Sequence, residues 1–173
     1  MRFEVETDRL RLREFVLDDA EFILALLNQP SFLRFIGDKG VRTVEEARAY
    51  ISNGPIKSYL EHGFGLYLVE LNTSHAPIGM CGVLKRDTLE HVDLGFAFLP
   101  EFWGKGYALE AASAVLKYAR QALELGEILA ITDPDNEASI NLLQKLAFRF
   151  QRMTKLSDES PEVKLFAQSP EAP

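Results

Sequence analysis

Polar and apolar residues alternate one by one near the start of the chain, and the spacing changes further along it. Residues 7–13 alternate charged side chains with leucine, which predicts a half-buried strand. A helix is predicted to open at Asp18, with its apolar face supplied by residues 22–27. A second helix is predicted to open at the capping box of residues 43–46 and to end at Asn53-Gly54-Pro55.

The centre of the chain consists of short runs rich in Val, Ile, Leu and Phe, separated by polar turns. Residues 64–71, 77–85 and 91–99 are predicted to form three antiparallel strands joined by hairpins. The elements predicted after them are a long helix with an alanine-rich face at about 107–125, a strand at 127–132, a helix at 136–147 and a closing hairpin of residues 148–156 and 162–166. This order predicts one α+β domain over residues 1–168, followed by a frayed tail at 169–173.

The charge balance narrows the choice of partner. The 173 residues carry 26 acidic and 19 basic side chains, a formal net charge of -7. This balance argues against direct binding to nucleic acid, which normally requires a basic surplus. It is compatible with a cationic small molecule or an amine-bearing peptide as partner, and also with a charge that only keeps the protein soluble.

Cysteine and histidine usage gives no sign of a disulfide or a metal site. The single cysteine, Cys81, excludes an intrachain disulfide and a cysteine-rich zinc site, and its apolar neighbours predict a core position. His62, His75 and His91 share no metal-ligand spacing, so we expect no metal. The N-terminal residues are acidic and the apolar runs are too short to span a bilayer, so we expect a cytoplasmic protein without membrane contact.

A pair of glycines, Gly104 and Gly106, lies between the third hairpin strand and the alanine-rich helix. Glycines at this spacing let backbone amides point toward one place, and the N-terminus of a helix favours an anion there. The segment predicts either a diphosphate cradle or a turn that only joins two elements. A P-loop is excluded because its sequence is absent, and a Rossmann fingerprint is disfavoured because Leu109 replaces its third small residue.

Residues 100–111, Pro-Glu-Phe-Trp-Gly-Lys-Gly-Tyr-Ala-Leu-Glu-Ala, resemble the acetyl-CoA signature of the GNAT superfamily of N-acetyltransferases. The similarity is to the RimJ/RimL branch, which acetylates the N-termini of ribosomal proteins. Three further segments match that branch in order, namely the strand at 7–13, the hairpin within 78–96 and the segment 136–148. The resemblance covers roughly residues 7–150 and implies a GNAT fold, in which a mixed, mostly antiparallel sheet is flanked by helices.

The resemblance also implies a binding site for acetyl-CoA as co-substrate. Main-chain amides of the glycine turn would bind the CoA diphosphate, and the pantetheine arm would lie between two splayed parallel strands at 91–99 and 127–132. Asn136 would hydrogen-bond that arm, and Lys105 would either meet the phosphates or face water. The implied cofactor-binding residues are Phe98, Leu99, Trp103, Gly104, Lys105, Gly106, Tyr107, Ala108, Asn136 and Ser139.

Asp93 and Ser139 are the catalytic candidates that the resemblance implies. Asp93, on the strand beside the thioester, is the first candidate for a base or relay that removes a proton from the acceptor amine, and the alternative is a charge on a solvent face. Glu101 and His91 are weaker candidates for the base. Many GNAT enzymes assist the departing thiolate with a tyrosine at the position that Leu143 occupies here. The resemblance to the RimJ/RimL branch implies that Ser139, the serine of Asn-x-x-Ser, takes this role; its alternative is a helix cap.

Three other residues carry structural expectations. Ala147 stands where the family usually has glycine, so either a left-handed alanine costs up to about 1 kcal/mol there or the turn differs from that of the family. Trp103 is expected to pack against the alanine-rich helix. Glu110, in the first turn of that helix, is expected to favour the helix dipole without a catalytic role.

The implied reaction is transfer of an acetyl group from acetyl-CoA to a primary amine by direct attack. The leading acceptor is the N-terminal α-amine of a protein or peptide. An α-amine with a pKa of about 7.7 to 8.0 is substantially neutral near pH 7.5, whereas lysine at about 10.4 is almost wholly charged. The alternatives are a small amine (a polyamine, amino acid or aminoglycoside) and a non-catalytic acyl-CoA sensor. The protein is expected to be a monomer or a homodimer.

Overall fold

Eight strands form one mixed sheet in the computed structural model, which describes residues 2–170. The strands are Glu4–Glu6 (β1), Leu10–Glu14 (β2), Leu66–Leu71 (β3), Pro77–Leu84 (β4), Asp93–Phe98 (β5), Ile128–Thr132 (β6), Arg149–Thr154 (β7) and Val163–Gln168 (β8). Their order is β1-β2-β3-β4-β5-β6-β8-β7, and neighbours are antiparallel except β5 and β6. The predicted α+β class, the central hairpins and the mostly antiparallel sheet are confirmed.

Helices cover both faces of the sheet. They are Ala20–Leu27 (α1), Pro30–Phe35 (α2), Val44–Ile51 (α3), Lys57–His62 (α4), Tyr107–Gln121 (α5) and Glu137–Lys145 (α6). On one face, α5 buries its alanine-rich side together with Cys81 and Phe98. On the other face, α1 and α3 pack over Leu68 and Met80. Alanine on α5 lets that helix approach the strands closely, which keeps the end of β5 beside the start of α5.

The two parallel strands, β5 and β6, pair at only one point. Their register joins Asp93 with Leu129, and the Leu129 N–H donates to the Val92 carbonyl at 2.8 Å. No β6 residue is paired in register with the later residues of β5, and we call this unpaired side of β5, toward its carboxyl end, the gap. This lack of pairing leaves main-chain groups of β5 free to pair with something other than the sheet.

The first half of the chain departs from the sequence prediction in its helices. The Asp18 side chain forms no capping hydrogen bond with the described residues. The Asp19 side chain instead accepts from the Val16 N–H at 2.9 Å, and α1 begins after a short 3₁₀ turn. The Thr43 cap is confirmed, since its hydroxyl accepts from the Glu46 N–H at 3.1 Å. Pro55 does not end the helix. A π-helical turn, Ser52–Ile56, carries the chain from α3 into α4, because its wider hydrogen-bond spacing accommodates a residue without an N–H.

The last two strands, β7 and β8, pair as an antiparallel hairpin, as predicted. Ala147 is left-handed with a φ of 65°, which is one of the two possibilities that the sequence left open. The last strand ends at Gln168, and residues 171–173 of the predicted tail lie outside the described residues. Among the helices of residues 2–170, none is both long enough and apolar enough to cross a membrane.

Candidate active site

A cleft of about 550 Å³ begins at the glycine turn between β5 and α5 and reaches α1 and α2. Its size is in the range of a small-molecule or cofactor site. It is lined by Leu26, Gln29, Ser31, Phe32, Phe35, Ile36, Phe96, Ala97, Phe98, Phe102, Trp103, Gly104, Gly106, Tyr107, Ala108, Leu109, Asn136, Glu137, Ala138, Ser139, Asn141, Leu142 and Lys145. The cleft therefore joins the carboxyl end of β5 to the N-termini of α5 and α6.

The glycine turn presents a set of unused backbone donors. Gly104 and Gly106 have φ values of 73° and 81°, a conformation that side chains other than glycine rarely adopt. The N–H groups of residues 104–109 donate no hydrogen bond to any part of the chain that the structure describes. Because these donors lie at the N-terminus of a fifteen-residue helix, they form a cradle for an anion such as a diphosphate.

Trp103 has a different place from the one predicted. Its side chain is 51% exposed and lines the cleft, so the expectation that it packs against the alanine-rich helix is wrong. Its backbone N–H donates to the Pro100 carbonyl at 3.1 Å, and its indole N–H donates to the Phe98 carbonyl at 2.9 Å. The Trp103 backbone N–H is therefore already hydrogen-bonded within the chain, and the Trp103 indole binds the last carbonyl of β5.

Alternation along β5 decides which main-chain groups face the gap. The Leu99 N–H donates to the Ile78 carbonyl at 2.9 Å, and the Leu99 carbonyl accepts from the Phe102 N–H at 3.0 Å. Leu99 therefore does not present the free main-chain groups that the sequence interpretation gave it. Because hydrogen-bonding direction alternates along a strand, Phe96 and Phe98 direct their main-chain groups away from β4 and toward the gap.

Asn136 and Ser139 lie together at the start of α6 and both line the cleft. The Asn136 side-chain oxygen accepts from the Ser139 N–H at 3.2 Å, so Asn136 is the N-cap of this helix. This bond leaves the side-chain amide NH₂ of Asn136 and the hydroxyl of Ser139 without a partner among the described residues. Leu143 is fully buried in the core, so it does not face the cleft.

Asp93 lies outside the cleft. Its side chain is 1% exposed and pairs with the Arg86 guanidinium at 3.1 Å, at the opposite end of β5 from Phe98. Burial raises the pKa of Asp93 above its ordinary range, although the charge and hydrogen bonds of Arg86 oppose this rise. The structure therefore gives Asp93 neither the solvent-exposed position nor the place in the cleft that the sequence suggested. Glu101 and His91 are exposed and do not line the cleft either.

Thr7 and Arg9, near the start of the chain, hydrogen-bond the glycine turn and the first turn of α5 without lining the cleft. The Glu110 carboxylate accepts from the Thr7 hydroxyl, from the Arg9 N–H at 3.0 Å and from the Arg9 guanidinium at 2.7 Å. Arg9 also donates to the Lys105 carbonyl at 2.8 Å and lies 4.4 Å from the centre of the Tyr107 ring. Lys105 itself is exposed and bonds the Glu101 carbonyl at 3.2 Å.

Sequence reasoning missed this arrangement because it assigned Arg9 only to an alternating strand and Glu110 only to the helix dipole. No local pattern connects two residues that are 101 positions apart. It also missed α2, whose Pro30 at the first helical position was the available signal.

The residues of the cleft fit coenzyme A. The cradle at 104–109 suits a diphosphate, and the free main-chain groups of Phe96 together with the Phe98 N–H suit the amides of a pantetheine arm. The side-chain NH₂ of Asn136 can donate to a carbonyl of that arm. These groups face one cleft, whereas Leu99, the Trp103 amide and Asp93 do not contribute to it.

Known proteins share both the sequence pattern and the fold. A family model described as an acetyltransferase (GNAT) domain matches residues 9–149. The uncharacterized N-acetyltransferase YoaA of Bacillus subtilis is 31% identical over 84% of this chain and 82% of its own. Spermidine N(1)-acetyltransferase of Escherichia coli is 25% identical over 80% of this chain and 72% of its own.

A solved structure extends the comparison to the whole chain. The ribosomal L7/L12 alpha-N-protein acetyltransferase RimL, in complex with coenzyme A, superposes with a TM-score of 0.84. The match covers 99% of this chain and 100% of that one at 16% identity, so it shows a shared fold.

Proposed function

The chain belongs to the GNAT family of acetyltransferases and is an acetyl-CoA-dependent N-acetyltransferase, and we propose that its acceptor is the N-terminal α-amine of a protein or peptide. The observation that carries the proposal is the continuity of the cleft. The cradle at 104–109 and the wall formed by α1 and α2 belong to one opening, with the gap-facing main chain of β5 between them. A donor and an acceptor can therefore meet beside β5, and we expect them to do so in the cytoplasm.

Acetyl-CoA supplies the acetyl thioester. The N–H groups of residues 104–109 would bind its diphosphate, assisted by the dipole of α5. Phe96 and Phe98 would bind the pantetheine arm through their main chain, and the Asn136 side chain would donate a hydrogen bond to it. Ser139, three residues after Asn136 on the same helix, would donate its hydroxyl proton toward the sulfur as the thiolate leaves.

The acceptor amine must be neutral to attack. An α-amine has a pKa of about 7.7 to 8.0 and is substantially neutral near pH 7.5, so water can take the proton that it releases. The fold it shares with RimL, whose name describes an α-N-protein acetyltransferase, supports the same class of acceptor. We therefore assign the proton of the amine to solvent and not to Asp93.

The experiment is release of free thiol from acetyl-CoA across matched acceptors. The panel contains peptides with a free N-terminus, the same peptides with a blocked N-terminus, and spermidine. Release with free but not with blocked peptides is the expected result. Release with spermidine alone would overturn the peptide acceptor in favour of a small-amine acetyltransferase. Binding of acetyl-CoA without release by any acceptor would contradict the proposed transfer and indicate a sensor.

A further inference from the structure

One wall of the cleft consists of apolar side chains that the described residues cover to different extents. Phe32, Phe35 and Ile36, which we call the α2 wall, line the same cleft as the glycine turn. Phe32 is 4% exposed, whereas Ile36 is 48% exposed even though it is a large hydrophobic residue. An apolar wall inside a cleft is favourable when an apolar ligand group covers it.

The wall is held rigidly by its own backbone. Gln29 is extended, Pro30 starts the helix, and Phe32 packs into the core formed by α1 and α3. The N–H groups of Ile36 and Gly37 both donate to the Phe32 carbonyl, at 2.9 and 3.0 Å. Residues 32, 35 and 36 have the spacing of one helix face, so the anchored Phe32 orients the other two toward the cleft.

Charge at the wall opposes a polycationic acceptor. The Arg34 guanidinium lies 4.7 Å from the centre of the Phe35 ring, so it places a positive charge beside the wall. The polar residues that positions 20–36 contribute to the described lining are Gln29, the N-cap of α2, and Ser31, and both are uncharged. A second ammonium group on the acceptor would therefore meet a like charge and apolar surface.

We infer that the α2 wall binds an apolar side chain carried next to the acceptor amine. The preferred acceptors are then peptides whose first residue is large and apolar, such as leucine or phenylalanine. The inference rests on the proposed function, because the amine must reach the same cleft as acetyl-CoA. Continuity of the wall with Phe96 and Ala97 of β5 places this side chain within reach of the same opening.

The test compares peptides that differ only in the first residue. Leucine and asparagine are nearly equal in shape, so a peptide pair starting with each measures polarity alone. We expect kcat/KM to be at least about tenfold higher for the leucine peptide, the size of discrimination that an apolar pocket provides. Ile36→Ser should remove most of this preference. Leu33→Ser is the matched control, since Leu33 lies on the same helix outside the cleft lining and should leave the preference intact.

The outcomes distinguish failure of the α2 wall from failure of the proposed peptide acceptor. Acetylation of both peptides without preference, or a preference that survives in Ile36→Ser, would overturn the role of the wall and leave the proposed function standing. If only small amines react, the peptide acceptor is wrong, and the wall is judged by phenethylamine against propane-1,3-diamine. A preference for phenethylamine would support the wall as an apolar subsite, and a preference for the diamine would overturn it.

Discussion

Arg9 and Glu110 form an ion pair of 2.7 Å, and this pair connects the beginning of the sheet to the first turn of α5. Arg9 also holds the Lys105 carbonyl, and one guanidinium nitrogen lies 3.3 Å from the position of a Cβ atom added to Gly106. Neither residue lines the cleft. The pair therefore fixes the conformation of the anion cradle without contacting the ligand, and both are positioning residues.

Glu110→Gln should weaken acetyl-CoA binding and change kcat little. The amide keeps the size of the side chain but loses the charge that holds Arg9, and an ion pair of this exposure contributes about 1 kcal/mol, or about fivefold in Kd. Calorimetry with acetyl-CoA measures the change. Glu45→Gln, which removes an exposed ion pair with Arg48, is the control and should leave Kd unaltered. A large fall in kcat with unchanged Kd would contradict the positioning role.

The stabilisation by Glu110 should also depend on pH. Burial acts to raise the pKa of Glu110, but hydrogen bonds from Thr7 and Arg9 outweigh it and hold the pKa below its ordinary value of 4.5. A carboxylate whose folded pKa is lowered stabilises the protein above its unfolded pKa, and the contribution disappears as pH falls through the folded pKa. The difference in unfolding free energy between the wild type and Glu110→Gln should be largest near neutral pH and vanish in acid. Denaturant titrations at several pH values measure it, and a constant difference would contradict this assignment.

Gly106→Val should abolish measurable binding of acetyl-CoA at concentrations that saturate the wild type. Gly106 is the N-cap of α5 with a φ of 81°, which a β-branched residue adopts only at high cost, and its replacement would displace the cradle. Gly126→Ala is the control, because a Cβ there meets nothing within 4 Å. Circular dichroism checks that both variants are folded. Wild-type affinity in folded Gly106→Val would rule out the cradle.

Two substitutions at the start of α6 should separate binding from turnover. Asn136→Asp keeps the oxygen that caps the helix but loses the NH₂ donor, so acetyl-CoA should bind more weakly while the protein remains as stable. Ser139→Ala should lower kcat by about a hundredfold and leave the affinity for acetyl-CoA nearly unchanged. Equal kcat in Ser139→Ala would mean that water, and not Ser139, protonates the sulfur.

Asp93→Asn tests whether Asp93, which lies outside the cleft, acts as the general base. Because the Asp93 carboxylate is buried against Arg86, we expect kcat/KM to stay within about threefold of the wild type, far less than the loss of about a hundredfold or more that follows removal of a general base. The pH profile should still rise with the pKa of the acceptor amine. Glu101→Gln, at an exposed position, is the control for loss of a carboxylate. A loss of about a hundredfold in Asp93→Asn alone would restore Asp93 as the base.

Local patterns were sufficient for most elements of the fold. Alternation predicted the first strand, and the central hairpins followed from short apolar runs. The π-helical turn that contains Pro55 was not predicted, because proline is a strong local signal for the end of a helix, whereas here the buried Pro55 lies inside a continuous helical segment. The six-residue α2 was also missed, since a helix this short lacks a full period of apolar residues.

The site was only partly predictable for a related reason. Gly104, Gly106, Asn136 and Ser139 lie in segments whose local sequence determines their geometry, and the structure brings all four to one cleft. The main-chain groups of Leu99 were expected to be free for the pantetheine arm, but the Leu99 N–H bonds the Ile78 carbonyl of β4. Which residues of β5 direct their main-chain groups toward the gap depends on the register with β4. A shift of one residue reverses that direction, and a single sequence does not specify register.

The most direct test of the account is to locate the acetyl group on a product peptide. A peptide with a free N-terminus and one internal lysine is incubated with the enzyme and acetyl-CoA, and fragmentation by mass spectrometry identifies the modified nitrogen. We predict one acetyl group on the N-terminal nitrogen and none on the lysine, with no product from the N-blocked peptide. Acetylation of the lysine side chain, or of spermidine but neither peptide, would contradict the central claim.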